Sequence, residues 1–223
     1  VSDDVEIIAD RGRPRAFTLR VGGTDQSYVD LDDPTRLDFD YMQRMADVLD
    51  TWAPQGEPLR VVHIGGAALS MPRYVAATRP RSAQTVLEPA AHITQLVRRE
   101  MPLPRNSGIK VRDVAGRAGV AALRDGFTQV VIVDAFDGSR VPGDLGTVDF
   151  FTEARRVLEP GGLLLMNIAD KAPFGYARRV VGGAQAAFGH VMLSAEPATL
   201  KGRRFGNLLL VACSEPIDAT GLA

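Results

Sequence analysis

From residue 59 onward, short apolar runs alternate with stretches whose apolar positions recur at helical spacing. Arg60-Val61-Val62-His63-Ile64 reads as a buried strand, and Ser70 as the cap of a helix through Tyr74, Val75 and Ala77 that Pro80 stops. Gln84-Thr85-Val86-Leu87 is the next strand, and Ile93, Leu96 and Val97 mark a helix ending before Pro102. Residues 109–111 form a third strand, followed by a helix carrying Ala118, Ala121, Ala122 and Leu123. Val130-Val131-Ile132-Val133 is apolar throughout, as expected for a central strand covered on both faces. A helix over 150–158 stops at Pro160-Gly161-Gly162, the turn into a fifth strand, Leu163-Leu164-Leu165-Met166. A helix over 176–188 and strands over 191–194 and 208–211 complete the series.

The first fifty residues differ. Residues 5–9, 16–21 and 26–31 read as three short strands separated by Arg11-Gly12-Arg13-Pro14 and Gly22-Gly23-Thr24-Asp25. Met42, Met45, Ala46 and Leu49 then fall at helical spacing. The expected division is a small β-rich unit plus helix over 1–52 and a larger unit over 53–223. The alternation in the larger unit is that of an α/β protein with a doubly wound, Rossmann-like and largely parallel sheet. Ligands in such sheets bind beyond the carboxyl ends of the strands, so the residues there hold the candidate chemistry.

Composition narrows the classes. Of 223 residues, 45% are hydrophobic and 24% charged, the balance of a folded globular chain. A formal net charge of -1 argues against a broad nucleic-acid surface. The single cysteine excludes an internal disulfide, and three scattered histidines give no expectation of a metal site. No apolar run reaches the ~18 residues of a membrane span and no leader is visible, so a cytoplasmic setting without membrane contact is expected. The arginine-rich stretches at 11–15, 79–81 and 203–204 read as solvated turns.

Strand ends carry the candidates. Gly65-Gly66-Ala67-Ala68 joins a strand to a helix, where small residues let backbone amides approach a ligand or simply make a tight turn. Glu88 follows the next strand, where a carboxylate can accept from both hydroxyls of a ribose or lie on a solvated surface. Asp113 and Val114 follow the third strand; the acid could take an exocyclic amine and the valine a ring face, and Asp113 could equally cap a helix. Asp134 and Asp137 follow the central strand, where a carboxylate can hold an ammonium or accept its proton, or both can cap the loop. His63, beside the glycine turn, could touch a ligand but reads rather as a satisfied core histidine. No P-loop, complete G-x-G-x-x-G or G-x-S-x-G motif is present.

Together these positions resemble the spermidine synthase family, whose fold is that of class I S-adenosylmethionine-dependent methyltransferases. The resemblance spans residues 26–213. It implies a nucleoside site at Gly65, Gly66, Glu88, Asp113, Val114 and Asp134, with Asp134 as the base that deprotonates the attacking amine. Gln26, Tyr41 and Asp137 would meet the substrate. Decarboxylated S-adenosylmethionine would be the donor, a small amine such as putrescine the acceptor, and a homodimer the assembly. The chain departs from the family's G-G-G-D-G-G loop: Ala67 and Ala68 follow the glycines, and the acid that holds the donor's amino group is missing. Pro89 stands where an aspartate usually follows Glu88, and Met42 where a glutamine follows the tyrosine. Two other readings stay open on these departures: a methyltransferase using intact S-adenosylmethionine, and a non-catalytic nucleoside-binding domain.

Overall fold

The computed structural model describes residues 4–136 and 140–216 of the chain. Three strands, β1 (Val5–Ala9), β2 (Ala16–Val21) and β3 (Thr24–Asp30), form an antiparallel sheet of their own. Helix α1 (Asp40–Trp52) leads into β4 (Arg60–Ile64), α2 (Ser70–Thr78), β5 (Ala83–Leu87), α3 (Ala91–Glu100), β6 (Ile109–Arg112), α4 (Gly116–Ala121) and β7 (Thr128–Val133). Helix α5 (Val148–Val157), β8 (Leu158–Asp170), α6 (Gly175–Gln185), β9 (His190–Ala195), a one-turn α7 (Pro197–Leu200) and β10 (Gly206–Cys213) follow. The seven later strands make one sheet in the order β6-β5-β4-β7-β8-β10-β9. From β6 to β8 all neighbours are parallel, and β10 runs antiparallel to both of its partners. The mixed α/β class and the chiefly parallel sheet are as the alternation predicts.

The sheet is apolar on both faces. On one, Val62, Val131 and Leu164 pack against Phe150, Phe151 and Val180. On the other, Val61, Val130 and Leu165 pack against Met45 and Leu49 of α1 and Tyr74 and Val75 of α2. A third cluster joins Leu19 and Val29 of the three-stranded sheet to Ala68, Leu69 and Val97. That contact fixes the small sheet over the turn that follows β4.

Four expectations need correction. Pro160-Gly161-Gly162 does not turn the chain into a later strand; β8 already begins at Leu158. Thr128 pairs with Leu158 and Val130 with Leu163, so residues 159–162 form a bulge within the strand. Gly161 takes φ 72 there, and a bulge is where a strand admits proline and glycine. Ser70 does not cap α2: its hydroxyl donates to Tyr28 O (2.7 Å), and Leu69 occupies the cap in a left-handed conformation. Asp113 caps nothing, because α4 starts at Gly116 behind Ala115. Arg79 is no solvated turn residue. It is fully buried, donating to Asp50 Oδ1 (2.8 Å) and to Ala53 O (2.6 Å), so it ties the end of α2 to the end of α1.

Helix α5 carries a side-chain cap: Thr147 Oγ1 accepts from Phe150 N (3.2 Å). The same oxygen accepts from Arg117 (3.2 Å). Thr147→Ala is expected to cost about 1 kcal/mol. By thermal melting that is a fall of about 2–4 °C for a chain of this size. An unchanged melting temperature would show that the cap contributes nothing.

Candidate functional site

The carboxyl ends of β4, β7 and β8 open into a cavity of about 240 Å³, roofed by β3 and the start of α1. Its floor is set by one close approach. Gly65 has φ 88, and a Cβ there would stand 2.2 Å from Asp134 O. Asp134 N donates to Ile64 O (2.8 Å), which extends the β4–β7 pairing by one rung and holds Asp134 against the glycine. Ala67 (φ 41) and Leu69 (φ 65) continue the turn in left-handed conformations, each costing about 1–2 kcal/mol for a residue with a Cβ. Burial of Ala68 and Leu69 under the small sheet offsets that strain, and Ala68 N donates to Ser27 Oγ (3.3 Å). The turn therefore keeps its course with alanine and leucine in place of glycine.

Asp134 is the best-furnished polar group in the cavity. Its Oδ2 accepts from Tyr41 OH (3.1 Å) and its Oδ1 from Asn167 Nδ2 (3.0 Å). Burial raises its pKa above the ordinary carboxylate value, and the bonds from Asn167 and Tyr41 oppose that rise. Burial, followed by the negative charge of Asp134, pushes the Tyr41 phenol well above its usual value, so the phenol stays a donor. Asn167 is 1% exposed, and its Oδ1 is buried without a partner. Among the described residues lining the cavity there is no lysine or arginine; the charged groups are Asp134 and, at the rim, Asp25. Phe39 stacks on Tyr41 with ring centroids 6.0 Å apart, and Phe136 and Phe205 add two more rings. A cavity with carboxylates, aromatic faces and no cation among its described lining residues favours a positively charged ligand.

Five of the sequence candidates meet here: Gln26, Tyr41, Gly65, Gly66 and Asp134 all line the cavity. Glu88, Asp113 and Val114 do not. They follow β5 and β6, one and two strands further along the same edge. Glu88 Oε2 accepts from Gly66 N (2.8 Å) and Ala67 N (3.3 Å), and Oε1 from Ala90 N (2.9 Å). Those bonds hold the glycine turn to the neighbouring strand end and leave acceptor capacity for a further donor. Asp113 is exposed, and Val114 packs at the margin of the core. Asp137 lies outside the described residues. Asn167 is the residue that sequence reasoning missed; its signal is a polar side chain directly after Leu163-Leu164-Leu165-Met166, on the strand beside Asp134. Among the described residues no cluster of three or more His, Cys, Asp or Glu could hold a metal, and no helix is long and apolar enough to cross a membrane.

No protein-family model matches the chain. A probable spermidine synthase from Corynebacterium glutamicum superposes with a TM-score of 0.92 at 30% identity, covering 99% of this chain and 81% of that one. The chain belongs to the spermidine synthase family. Among curated members of that family, the polyamine aminopropyltransferase of Chromobacterium violaceum is 29% identical over 160 residues, or 72% of this chain. The chain spans 60% of the length of the curated relatives it matches first. Outside the spermidine synthases, human methyltransferase-like protein 13, solved in complex with SAH, superposes with a TM-score of 0.67 at 17% identity. It covers 81% of this chain and 84% of its own, a likeness of fold that agrees with the class I methyltransferase architecture.

Proposed function

We propose that the chain transfers an aminopropyl group from decarboxylated S-adenosylmethionine to a small amine, with Asp134 as the base. The single observation that carries this reading is Asp134 itself: a carboxylate with two donors on it, in a cavity whose described lining holds aromatic rings and no cation. Family membership supplies the reaction class. Gly65 and Gly66 take the nucleoside beside Asp134, and Glu88, Asp113 and Val114 continue its site along the strand ends. Gln26, Tyr41 and Asp137 meet the substrates. The small sheet and the large one act as two units of one site, with the boundary near residue 52. The family resemblance supports a homodimer, and the sequence pattern supports a cytoplasmic setting and a reaction without a metal.

The chemistry suits these groups. The leaving group is a neutral thioether and needs no acid. The acceptor is the harder partner, because an alkyl amine such as a lysine side chain has a pKa of about 10.4 and is protonated near neutrality. Asp134 binds the ammonium and accepts its proton as the nitrogen attacks. Holding nitrogen, carbon and sulfur in line can contribute on the order of 7–11 kcal/mol. The aromatic rings face the sulfonium and the ammonium. The deciding assay incubates the chain with putrescine and each of the two donors, and follows the thioether released. Methylthioadenosine from the decarboxylated donor supports the reading. Product from the intact donor alone overturns it in favour of methyl transfer, and no product from either removes the catalytic role.

Tyr41→Phe tests the environment of the base. The variant loses one donor to the Asp134 carboxylate, so its pKa rises further. A base must be ionised, and activity is lost as pH falls through its pKa. The acid limb of the kcat/KM profile is therefore expected at higher pH in Tyr41→Phe, with a loss of about tenfold at neutral pH for one bond to a charged group. An unmoved acid limb would separate Tyr41 from the titrating group.

A further inference from the structure

His63 has no part in the chemistry above, yet its imidazole lines the same cavity at 2% exposure. It pairs in register with Ile132, and Asp134 lies two residues beyond Ile132. Alternation puts all three side chains on one face of the sheet, with His63 about 6.6 Å below Asp134 along the strands. The ring's protonation pattern is fixed by a second buried residue. Gln84, also 2% exposed, donates from Nε2 to Pro72 O (3.0 Å). A carbonyl only accepts, so the Gln84 amide has one orientation, and its Oε1 faces His63 Nε2 at 2.8 Å. Nε2 must then carry the proton. Burial pushes the imidazole down to about 4, so the ring is neutral and Nδ1 bears a free lone pair. Among the described residues no donor reaches Nδ1. The lining that His63 shares also includes the apolar side chains of Met42, Met71 and Ile132.

We propose that His63 Nδ1 accepts a hydrogen bond from the far nitrogen of the amine acceptor, making His63 a specificity-determining residue that favours a short diamine over a monoamine of equal length. Gln84 is the positioning residue that sets the tautomer. The proposal rests on the aminopropyl-transfer reading, since it places the near nitrogen at Asp134. The placement suits a short diamine: one end meets the Asp134 carboxylate, and the other reaches His63, two residues deeper on the same face of the sheet. A monoamine would leave Nδ1 desolvated and unpaired. Such a mismatch in a polar site is a discrimination of about tenfold or more.

The test compares putrescine with butylamine in the full chain, as wild type, His63→Leu and His63→Asn. The wild type is expected to favour putrescine in kcat/KM by about tenfold or more. In His63→Leu that preference should collapse, chiefly through KM for putrescine. His63→Asn, whose amide oxygen can stand near the former Nδ1, should recover part of it. A putrescine preference unchanged in His63→Leu overturns the proposal. Nitrogen-15 spectra of the imidazoles give a readout that needs no turnover. His63 should show a protonated Nε2 and a bare Nδ1 whose resonance moves with putrescine and not with butylamine. In Gln84→Leu the tautomer should become mixed. A protonated Nδ1, or an Nδ1 that putrescine does not move, overturns the assignment. If neither amine is turned over but Nδ1 still responds to putrescine, the transfer reaction fails and the diamine site stands.

Discussion

Replacing Asp134 by asparagine is expected to lower amine turnover by about 10²–10⁴-fold, the range for removing a general base. The same change is expected to raise the melting temperature at pH 7. Both effects come from the position of this carboxylate. It stands at the end of the central strand, against Gly65, with Tyr41 and Asn167 as its donors. Burial raises its pKa, so the folded protein holds the charged form at a cost that the unfolded chain does not bear. The folded state therefore binds the proton more tightly than the unfolded state does. Stability from this group is fully present below the unfolded carboxylate value, and it is lost as pH rises through the folded one. Asparagine is nearly isosteric and never charged. Its oxygen can accept from Tyr41, and its amide can donate to Asn167 Oδ1, which has no partner in the wild type. The gain in melting temperature should shrink as pH falls toward the ordinary carboxylate range, where the wild-type group is also neutral. Thermal melts of both proteins across that range, beside the turnover assay, decide the matter. Equal melting temperatures at every pH would mean that Asp134 is not held charged at a cost, and full turnover would remove it from the base role.

Much of this was legible in the chain because parallel strands buried on both faces are written as unbroken apolar runs. Val130-Val131-Ile132-Val133 is such a run, and it places Asp134 at the carboxyl end of the central strand. The glycine turn was legible for a similar reason: Gly65 packs on the Asp134 backbone and admits no Cβ. Strand limits were less legible. Pro160-Gly161-Gly162 has the chemistry of a turn and also of a bulge, and only the pairing of β8 with β7 distinguishes them. Asn167 escapes the sequence pattern because the apolar run of β8 ends at Met166, one residue short of the position that faces Asp134. The burial of Arg79 is not legible locally, because charge alone implies solvent, whereas the carbonyls that receive it belong to residues about thirty positions away. From the sequence, His63 reads as a satisfied core histidine in preference to one that touches a ligand. That holds for Nε2, but the free lone pair on Nδ1 follows only from the direction of the Gln84 amide. Long-range partners of this kind leave no local trace in a sequence.

Gly65→Ala should damage stability and activity together, and by different routes. The first cost is conformational: φ 88 is open to glycine, and a residue with a Cβ held in such a conformation loses about 1–3 kcal/mol. The second is steric. The new Cβ would stand 2.2 Å from Asp134 O, 2.7 Å from Asp134 C and 2.9 Å from Ala135 Cα. All three are backbone atoms of the strand end, so no side-chain rotation relieves the contact, and a shift of this kind costs about a further 1–3 kcal/mol. Since Asp134 N is bonded to Ile64 O, the strand end cannot move without loosening that rung. The carboxylate would then leave Tyr41 and Asn167, and a displacement near 1 Å at a reacting group can cost about a hundredfold in rate. Gly66→Ala is the comparison within the same turn. Its Cβ would meet side-chain atoms, Val86 Cγ1 at 2.9 Å and Leu69 Cδ2 at 3.2 Å, and its φ is not in the left-handed region. Denaturant melts should rank the two variants with Gly65→Ala much the less stable. In folded Gly65→Ala, measured well below its melting temperature, turnover should still be depressed. Normal turnover there, or equal stability of the two variants, would mean that the close approach of Gly65 to Asp134 does not set the geometry of the base.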